Sequence, residues 1–224
     1  MIEIILDTET TGLSVKEGHR IVEIGCLEIE NLVPTKKVFH EYINPEGKKV
    51  DDSALKVHGY TDEFLKGKKK FKEIASEFLK FIKDKRLVIH NSDFDITHLN
   101  NELSLIGLEK INPKNVVDTL EIARNKFPGS SASLDALCKR YRIDNSRRVK
   151  HNAIIDCELL YKVYVNLLDQ KEPSLDFSKS NNTNSETISR IDSLKYSKQI
   201  VKPSENEISL HKIFLKNKLK KNYF

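Results

Sequence analysis

The start of the chain constrains the fold most, because an apolar run leads directly into two alternating acids. Residues 2–6 are mainly β-branched or aliphatic, which is typical of a buried strand. Asp7 and Glu9 follow at once. Side chains two apart on a strand point to the same face of the sheet. The sequence therefore predicts a strand over residues 2–6 whose C-terminal end carries two neighbouring carboxylates.

Two carboxylates held side by side repel each other unless a cation lies between them. Hard divalent ions that prefer oxygen ligands, such as Mg²⁺ or Mn²⁺, are the natural partners. A solvated loop start would also explain one such pair of acids. The metal interpretation therefore depends on whether further acids fall at other strand and helix ends.

A second acid lies where a short strand gives way to a helix. The apolar run at 87–90 predicts a strand, and apolar residues at helical spacing predict a helix over 94–107. Asp95 falls at this junction. Asp93 is a competing candidate, and it is equally suited to cap the helix.

The third position combines a histidine with an acid at the start of a long predicted helix, 152–168. His151 and Asp156 are five residues apart, which is about 140° around a helix, so the two would not share a face if both were helical. We expect Asp156 on the first turns and His151 just before the helix. A metal ligand needs rigid support, whereas a proton-transfer group tolerates some movement.

The remaining pattern predicts an α/β domain with a mixed central sheet flanked by helices. Three consecutive strands with short links, at 2–6, 21–29 and 38–43, indicate an antiparallel meander. Helices then alternate with short strands. Besides the elements above, we expect a helix near 71–83, a strand at 115–118, and helices at 119–126 and 133–141.

Asp7, Glu9, Asp95, His151 and Asp156 together resemble the DEDDh group of 3′–5′ exonucleases, most closely the proofreading exonucleases of bacterial replicative polymerases. The resemblance runs from residue 2 to about 168. It is supported by the stretches Ile21-Val22-Glu23-Ile24-Gly25, Val57-His58-Gly59-Tyr60-Thr61-Asp62-Glu63-Phe64, Val88-Ile89-His90-Asn91, Phe127-Pro128-Gly129 and Ser133-Leu134-Asp135-Ala136-Leu137-Cys138.

The resemblance implies a ribonuclease H-like fold and assigns roles at the site. Asp7, Glu9 and Asp156 would hold two divalent ions, Mg²⁺ or Mn²⁺, with Asp7 bridging the pair. Asp95 would assist, partly through water, and His151 would be the general base. The substrate would be a single-stranded or frayed DNA 3′ end, and the product a nucleoside 5′-monophosphate. If neutral His151 takes the proton, activity should rise from pH 6 towards pH 8.

Further residues are candidates for contact with the terminal nucleotide. The resemblance places Leu13 as an apolar wedge beside the last bases, although a simple turn after the strand would also explain its neighbours. For His58, Asn91 and Phe94 a structural role is as good an explanation as substrate binding. His58 in particular suits a helix end before Gly59. The full set of substrate candidates is Thr10, Thr11, Gly12, Leu13, His58, Asn91 and Phe94.

Size and composition indicate a soluble cytoplasmic protein with one good-sized core. The chain has 224 residues, 32% of them charged, and a net charge of +5, which is compatible with a polyanionic partner but equally with a lysine-rich solvated surface. Cys26, Cys138 and Cys157 match no zinc or disulfide pattern and are expected to be buried thiols. A strand beginning at residue 2 leaves no place for a signal peptide, and no apolar run has membrane-spanning length.

The C-terminal part differs in composition from the exonuclease-like domain, which we place at 1–170. Residues 178–189 are rich in Ser, Asn and Thr and predict a flexible linker, which we place at 171–204. Within it, 172–177 resembles a peptide that binds a sliding clamp, with Glu172 where such peptides have Gln; ordinary linker sequence explains it equally well. Residues 205–224 form an amphipathic, lysine-rich segment. We favour docking to the polymerase over nucleic-acid binding for this segment.

Three functions compete at this point. The first is a proofreading exonuclease, and the second is an RNA-trimming enzyme with the same metal chemistry. The third is a non-catalytic assembly factor, which would require the five intact polar residues to be relics. The C-terminal extension favours the first over the second.

Overall fold

The computed structural model describes residues 1–169 and 203–218, which belong to two compact units and are treated separately below. The boundary predicted at residue 170 and the proposed clamp-binding peptide at 172–177 lie outside the described residues. So do most of the predicted linker and the tail beyond residue 218.

The described residues form a mixed six-stranded sheet with the strand order β4-β3-β2-β1-β5-β6. Its strands are β1 (Ile2–Thr10), β2 (Ile21–Glu30), β3 (Val33–Asn44), β4 (Lys69–Lys70), β5 (Arg86–Ile89) and β6 (Val116–Asp118). β1, β2 and β3 pair antiparallel, which confirms the predicted meander. The β1–β5, β5–β6 and β3–β4 pairs are parallel. The predicted mixed α/β sheet is therefore confirmed.

Helices cover both faces of the sheet. They are α1 (Asp52–His58), α2 (Asp62–Lys66), α3 (Phe71–Ile82), α4 (Ser92–Leu105), α5 (Thr119–Lys126), α6 (Leu134–Tyr141) and α7 (Ala153–Leu167). The five predicted helices are confirmed to within two residues at each end. The sequence did not predict α2 or β4, and for α1 it offered the helix-end alternative before Gly59 and no start. These elements are short and mostly exposed, so they lack the apolar periodicity on which prediction depends.

The prediction that β1 ends at residue 6 was wrong. The strand continues to Thr10, so both acids lie inside it rather than beyond its end. Pairing with β2 persists through the opposite residues Glu9 and Glu23, and a register shift follows between Glu9 and Thr10. The apolar pattern stops early because the last part of β1 is buried against polar partners. β3 likewise begins five residues before its predicted start.

The alternation along β1 determines which core each side chain joins. Ile4 and Leu6 pack into the core formed with α3 and α4. Ile5 packs into the other core, which contains residues of α5, α6 and α7. Because side chains alternate between faces, Asp7 and Glu9 continue the row of Ile5 and face α7.

The second unit contains one described helix, α8 (Glu205–Lys218). A capping box starts it: the Ser204 N–H and Oγ each donate to Glu207 Oε2 at 2.8 Å, and Glu207 N–H donates back to Ser204 Oγ at 3.3 Å. Ile208, Leu210, Ile213 and Phe214 are exposed on it. Exposed apolar side chains of this kind suit a docking role, which stays a prediction.

Two further expectations concern the cysteines and the membrane. Cys26, Cys138 and Cys157 are buried and unpaired, as predicted. Among the residues that the structure describes, no helix combines the length and apolarity needed to cross a bilayer.

Candidate active site

The site begins where β1 and β5 stop pairing. Their parallel ladder ends at Ile5 and Val88, which leaves the next part of β1 without a strand on that side. Asp95, in the first turn of α4, fills the gap: its Oδ1 accepts from Thr8 N at 3.0 Å and from Thr8 Oγ1 at 2.7 Å. The contact holds Asp95 beside the two acids of β1 and leaves Oδ2 free of those bonds. Asp93, the competing candidate, is exposed on the same turn.

Gly25 brings the start of α7 against the sheet. It lies opposite Asp7 in β2, and a Cβ at this position would be 2.6 Å from the carbonyl carbon of Ala153. The first turn of α7 therefore packs directly on the β2 backbone, and Asp156 of that turn is buried near Asp7. His151 precedes the helix, as predicted, with its Nδ1 3.5 Å from Asp156 Oδ2.

The acids open into a cavity of about 790 Å³. Glu9, His151 and Asp156 each offer a ligand atom there, and these atoms all lie within 4.8 Å of one another. The cavity is lined by Asp7, Thr8, Glu9, Leu13, His90, Asn91, Phe94, Asp95, Leu120, Arg124, Ser130, Ser131, Ala132, Ser133, Leu134, Asp135, Arg148, His151 and Asp156. The structure thus brings together all five residues predicted as catalytic.

Burial and mutual repulsion perturb these carboxyls. Burial, followed by the charge of Asp95, raises the pKa of Asp7 well above its usual value. Burial and then Asp156 raise the pKa of Glu9 to about 8. The pKa of Asp95 rises to about 7, mainly through burial, although the Thr8 hydrogen bonds oppose the shift. Such a cluster is stabilised by a multivalent cation, so the donor set fits divalent ions with oxygen ligands.

Arg148, which sequence reasoning missed, is a cation that the chain itself supplies to these acids. Its Nε and Nη2 donate to the two oxygens of Asp156 at 2.5 and 2.8 Å, and Nη1 donates to Asp135 Oδ2 at 3.0 Å. Nη2 also lies 2.9 Å from His151 Nδ1. A guanidinium can only donate hydrogen bonds, so the His151 Nδ1 that faces it must carry a lone pair and act as the acceptor. Burial, and then the charge of Arg148, lower the pKa of His151 and favour its neutral form.

The substrate candidates separate into two groups. Leu13, Asn91 and Phe94 line the cavity, and Leu13 is 80% exposed, which suits contact with a ligand. Thr10 and Thr11 are buried outside the cavity lining: Thr10 Oγ1 donates to the Gly12 carbonyl at 2.7 Å, and Thr11 Oγ1 lies 3.0 Å from His19 Nδ1. In Gly12 a Cβ would meet the ring of the same histidine at 2.4 Å. Substrate contact by these residues stays a prediction.

His58 is buried, and both of its ring nitrogens have partners in the protein. Nδ1 accepts from Tyr60 N at 3.0 Å, so Nε2 carries the proton and donates to the Thr10 carbonyl at 3.2 Å. It is the last residue of α1, and Gly59 follows with a positive φ of 82°, as the helix-end alternative predicted. His58 therefore binds the end of β1 through the Thr10 carbonyl, and its direct contact with substrate stays a prediction.

Glu23 also escaped prediction as a site residue. It is fully buried on β2, directly opposite Glu9, and its charge contributes to the raised pKa of Glu9. A signal was available, because Glu23 stands between apolar residues of β2, but the residue opposite it on β1 depends on strand register.

Comparisons with known proteins show matches over most of the chain. The family described as Exonuclease (RNase T) matches residues 4–164. DNA polymerase III subunit epsilon of Rickettsia prowazekii (strain Madrid E) is 49% identical over 218 residues, which cover 95% of each chain. The subunit of the same name from Escherichia coli (strain K12) is 41% identical over 222 residues, covering 93% of this chain and 90% of its own.

The fold also matches solved structures. The nuclease domain of 3′hExo, a DEDDh family member bound to rAMP, superposes with a TM-score of 0.65. It shares 18% sequence identity, and the match covers 75% of this chain and 92% of that domain. At this identity the likeness concerns the fold alone.

Proposed function

This chain belongs to the exonuclease family and, within it, to the epsilon subunits of DNA polymerase III, and we propose that it removes mismatched 3′-terminal nucleotides during DNA replication. The enzyme is a 3′–5′ exonuclease that hydrolyses phosphodiester bonds. One observation carries the proposed mechanism: acids from β1, α4 and α7 meet His151 in a single cavity.

Asp7, Glu9 and Asp156 would hold two divalent ions, Mg²⁺ or Mn²⁺, with help from Asp95. Bound ions of this kind neutralise the phosphodiester, lower the pKa of water and stabilise the leaving oxygen. The free Oδ2 of Asp95 is the atom available to a metal, because Oδ1 already accepts two bonds from Thr8. Arg148 donates one hydrogen bond to each oxygen of Asp156, so its charge competes with a metal ion for this carboxylate.

His151 would accept the proton of the attacking water at Nδ1. This nitrogen faces Asp156 and has a lone pair, and the lowered pKa of the ring keeps it neutral near pH 7. Arg148 contacts the same nitrogen, so its withdrawal from the site would free both the base and a metal ligand.

Preference for a mismatched end does not require a pocket that reads bases. A mismatch has already paid part of the unpairing energy, so its terminal nucleotide enters the site more readily. The exposed Leu13 at the cavity rim is suited to separate that nucleotide from its neighbour.

The direct experiment replaces Asp7 and Glu9 together with Ala. With Mg²⁺ and a DNA primer that ends in a mismatch, the wild-type chain should release nucleoside 5′-monophosphates and the variant should not. Undiminished release by the variant would remove this site from the mechanism. RNA and DNA oligonucleotides of the same sequence, assayed in parallel, distinguish a DNA enzyme from an RNA-trimming one.

The partner of α8 would be the catalytic subunit of the replicative polymerase, in the cytoplasm where the bacterial chromosome is copied. Ile213→Asp and Phe214→Asp should abolish co-purification with that subunit and leave nuclease activity on free DNA unchanged. Lys212→Ala, on the same helix, is the matched control. Normal co-purification of both aspartate variants would contradict docking through these side chains.

A further inference from the structure

Glu23 presents an energetic problem that its surroundings resolve. It is fully buried and lies directly opposite Glu9 on the neighbouring strand. Like charges opposite each other on a sheet are destabilising, and a buried carboxylate without partners is more so. Its place in the fold therefore depends on the groups that bind it.

Four polar groups converge on the Glu23 carboxylate. Asn152 Nδ2 donates to Oε1 at 2.8 Å, and His40 Nε2 lies 2.7 Å from the same oxygen. Tyr60 OH and the Ala153 N–H donate to Oε2 at 2.9 and 3.1 Å. Two of these partners, Asn152 and Ala153, directly follow His151 in the chain.

Asn152 turns this cluster into an anchor for the start of α7. Its Oδ1 accepts the N–H of Ile155 at 3.2 Å and caps the helix, while its amide nitrogen is held by Glu23 and also donates to Tyr60 OH at 2.9 Å. A second anchor joins the His151 N–H to the Val57 carbonyl at 3.1 Å. The backbone on either side of the His151 Cα is thus fixed.

The imidazole itself has little side-chain support. Its side chain is 43% exposed, and its polar contacts in the described residues are with Arg148 and Asp156, which metal binding would rearrange. The backbone anchors must therefore set where the ring stands. A misplacement of about 1 Å in a reacting group can cost about a hundredfold in rate.

We propose that Glu23 is a positioning residue for the general base: by holding Asn152 and the first N–H of α7 from the opposite strand, it fixes the loop that carries His151. This inference rests on the proposed function of His151. It assigns Glu23 neither a metal nor a substrate contact.

The test compares two buried glutamates on β2 in the full chain. Glu23→Gln keeps the shape but presents an NH₂ group to partners that mostly donate, so at least one bond is lost. Glu28→Gln is the matched control, because Glu28 is equally buried but binds Lys85 and Lys37 away from the site. With Mg²⁺ and a mismatched primer, we expect Glu23→Gln to lower kcat about tenfold and to change KM less than about twofold. Glu28→Gln should keep the wild-type kcat.

A double-mutant cycle tests whether Glu23 acts through His151. In a His151→Ala background, the effect of Glu23→Gln on kcat should shrink to less than about twofold, because the group being positioned is gone. An equal loss in both backgrounds would overturn the proposal. Tyr60→Phe provides a second, milder variant that removes one donor from Glu23, and its effect should likewise disappear in the His151→Ala background.

The outcomes separate this inference from the proposed function. A wild-type chain that releases no nucleotide would contradict the exonuclease mechanism itself. An active wild type with an inactive Asp7→Ala variant, combined with a Glu23→Gln variant as active as Glu28→Gln, would overturn the role of Glu23 alone.

Discussion

The buried carboxylates near the two ends of β1 have opposite kinds of partners. At the N-terminal end, Glu3 accepts from Arg86 Nε at 2.8 Å and from Tyr164 OH at 3.0 Å. On the neighbouring strand, Glu28 accepts from Lys85 at 2.7 Å. Each buried acid there has its own cation.

At the C-terminal end, acids face other acids. Asp7, Glu9, Asp95 and Asp156 surround one cavity, and Arg148 is the guanidinium that contacts them directly. Buried acids occur at both ends, so the supply of cations makes the difference. Basic partners satisfy the buried carboxylates at the N-terminal end of β1. Apart from Asp156, the acids at its C-terminal end lack such partners in the described part of the chain, and so this end has the capacity to bind a metal and, through it, a phosphodiester.

The largest expected effect contrasts one glutamate from each end in the nuclease assay. Glu9→Gln should lower nucleotide release by more than about a hundredfold, because it removes a ligand on which charge stabilisation depends. Glu3→Gln should leave kcat within about twofold of wild type, since its partners Arg86 and Tyr164 do not line the cavity. Equal activities of the two variants would break the comparison.

The next effect concerns the general base. His151→Ala should reduce kcat about a hundredfold while leaving Mn²⁺ binding, measured by calorimetry, largely intact. In the wild type at saturating Mn²⁺, activity should rise with pH through the His151 pKa and then level off. Because that pKa is lowered, the rise should fall below pH 6.5, earlier than an ordinary histidine predicts. A variant that retains this rise would contradict the assignment.

A smaller effect, on the free energy of unfolding, tests the ion pair between Glu3 and Arg86 at the N-terminal end of β1. Arg86→Met leaves Glu3 buried with the Tyr164 hydroxyl as its remaining side-chain partner. We expect the free energy of unfolding in urea to fall by about 1–2 kcal/mol, since Arg86 is itself part-exposed and its loss is softened by solvent. The kcat of the folded variant should not change. Wild-type stability would show that this end does not depend on its cation.

The smallest effect is the pH dependence of stability in EDTA. The folded-state pKa of Glu9 is raised from 4.5 to about 8, so between these pH values the native state binds more protons than the unfolded state. The contribution of Glu9 to the free energy of unfolding therefore falls as pH rises from about 4.5 to 8. A hydrogen bond from Lys85 lowers the pKa of Glu28 to about 2. Its contribution is therefore present above about pH 4.5 and is lost as pH falls towards 2.

Melting temperatures across pH separate the two contributions. Asp7 and Asp95 share the slope between pH 5 and 8, so Glu9→Gln should reduce this slope and leave the acid side unchanged. Glu28→Gln should reduce the slope on the acid side alone. Mg²⁺ should raise the melting temperature more at pH 8 than at pH 6, because metal binding needs ionised ligands. A slope between pH 5 and 8 that is as steep in Glu9→Gln as in the wild type would place its origin in other groups.

Prediction from the sequence succeeded where the signal was local. The helix that carries Asp156 follows from its own apolar spacing, and the strand that carries Asp7 follows from its β-branched run. Prediction failed where a segment is short or polar. α1 has no apolar stripe to reveal it, and the second half of β1 has polar side chains because its partners are polar.

The sequence by itself predicted the longer helices and strands, their order and the five residues of the proposed chemistry, because periodicity and residue type are properties of neighbours along the chain. The tertiary structure alone decided that Glu23 lies opposite Glu9 and that Arg148 contacts Asp156 and His151. Register and side-chain reach join residues more than a hundred positions apart, as Glu23 and Asn152 are, and such pairings depend on how all the elements pack at once.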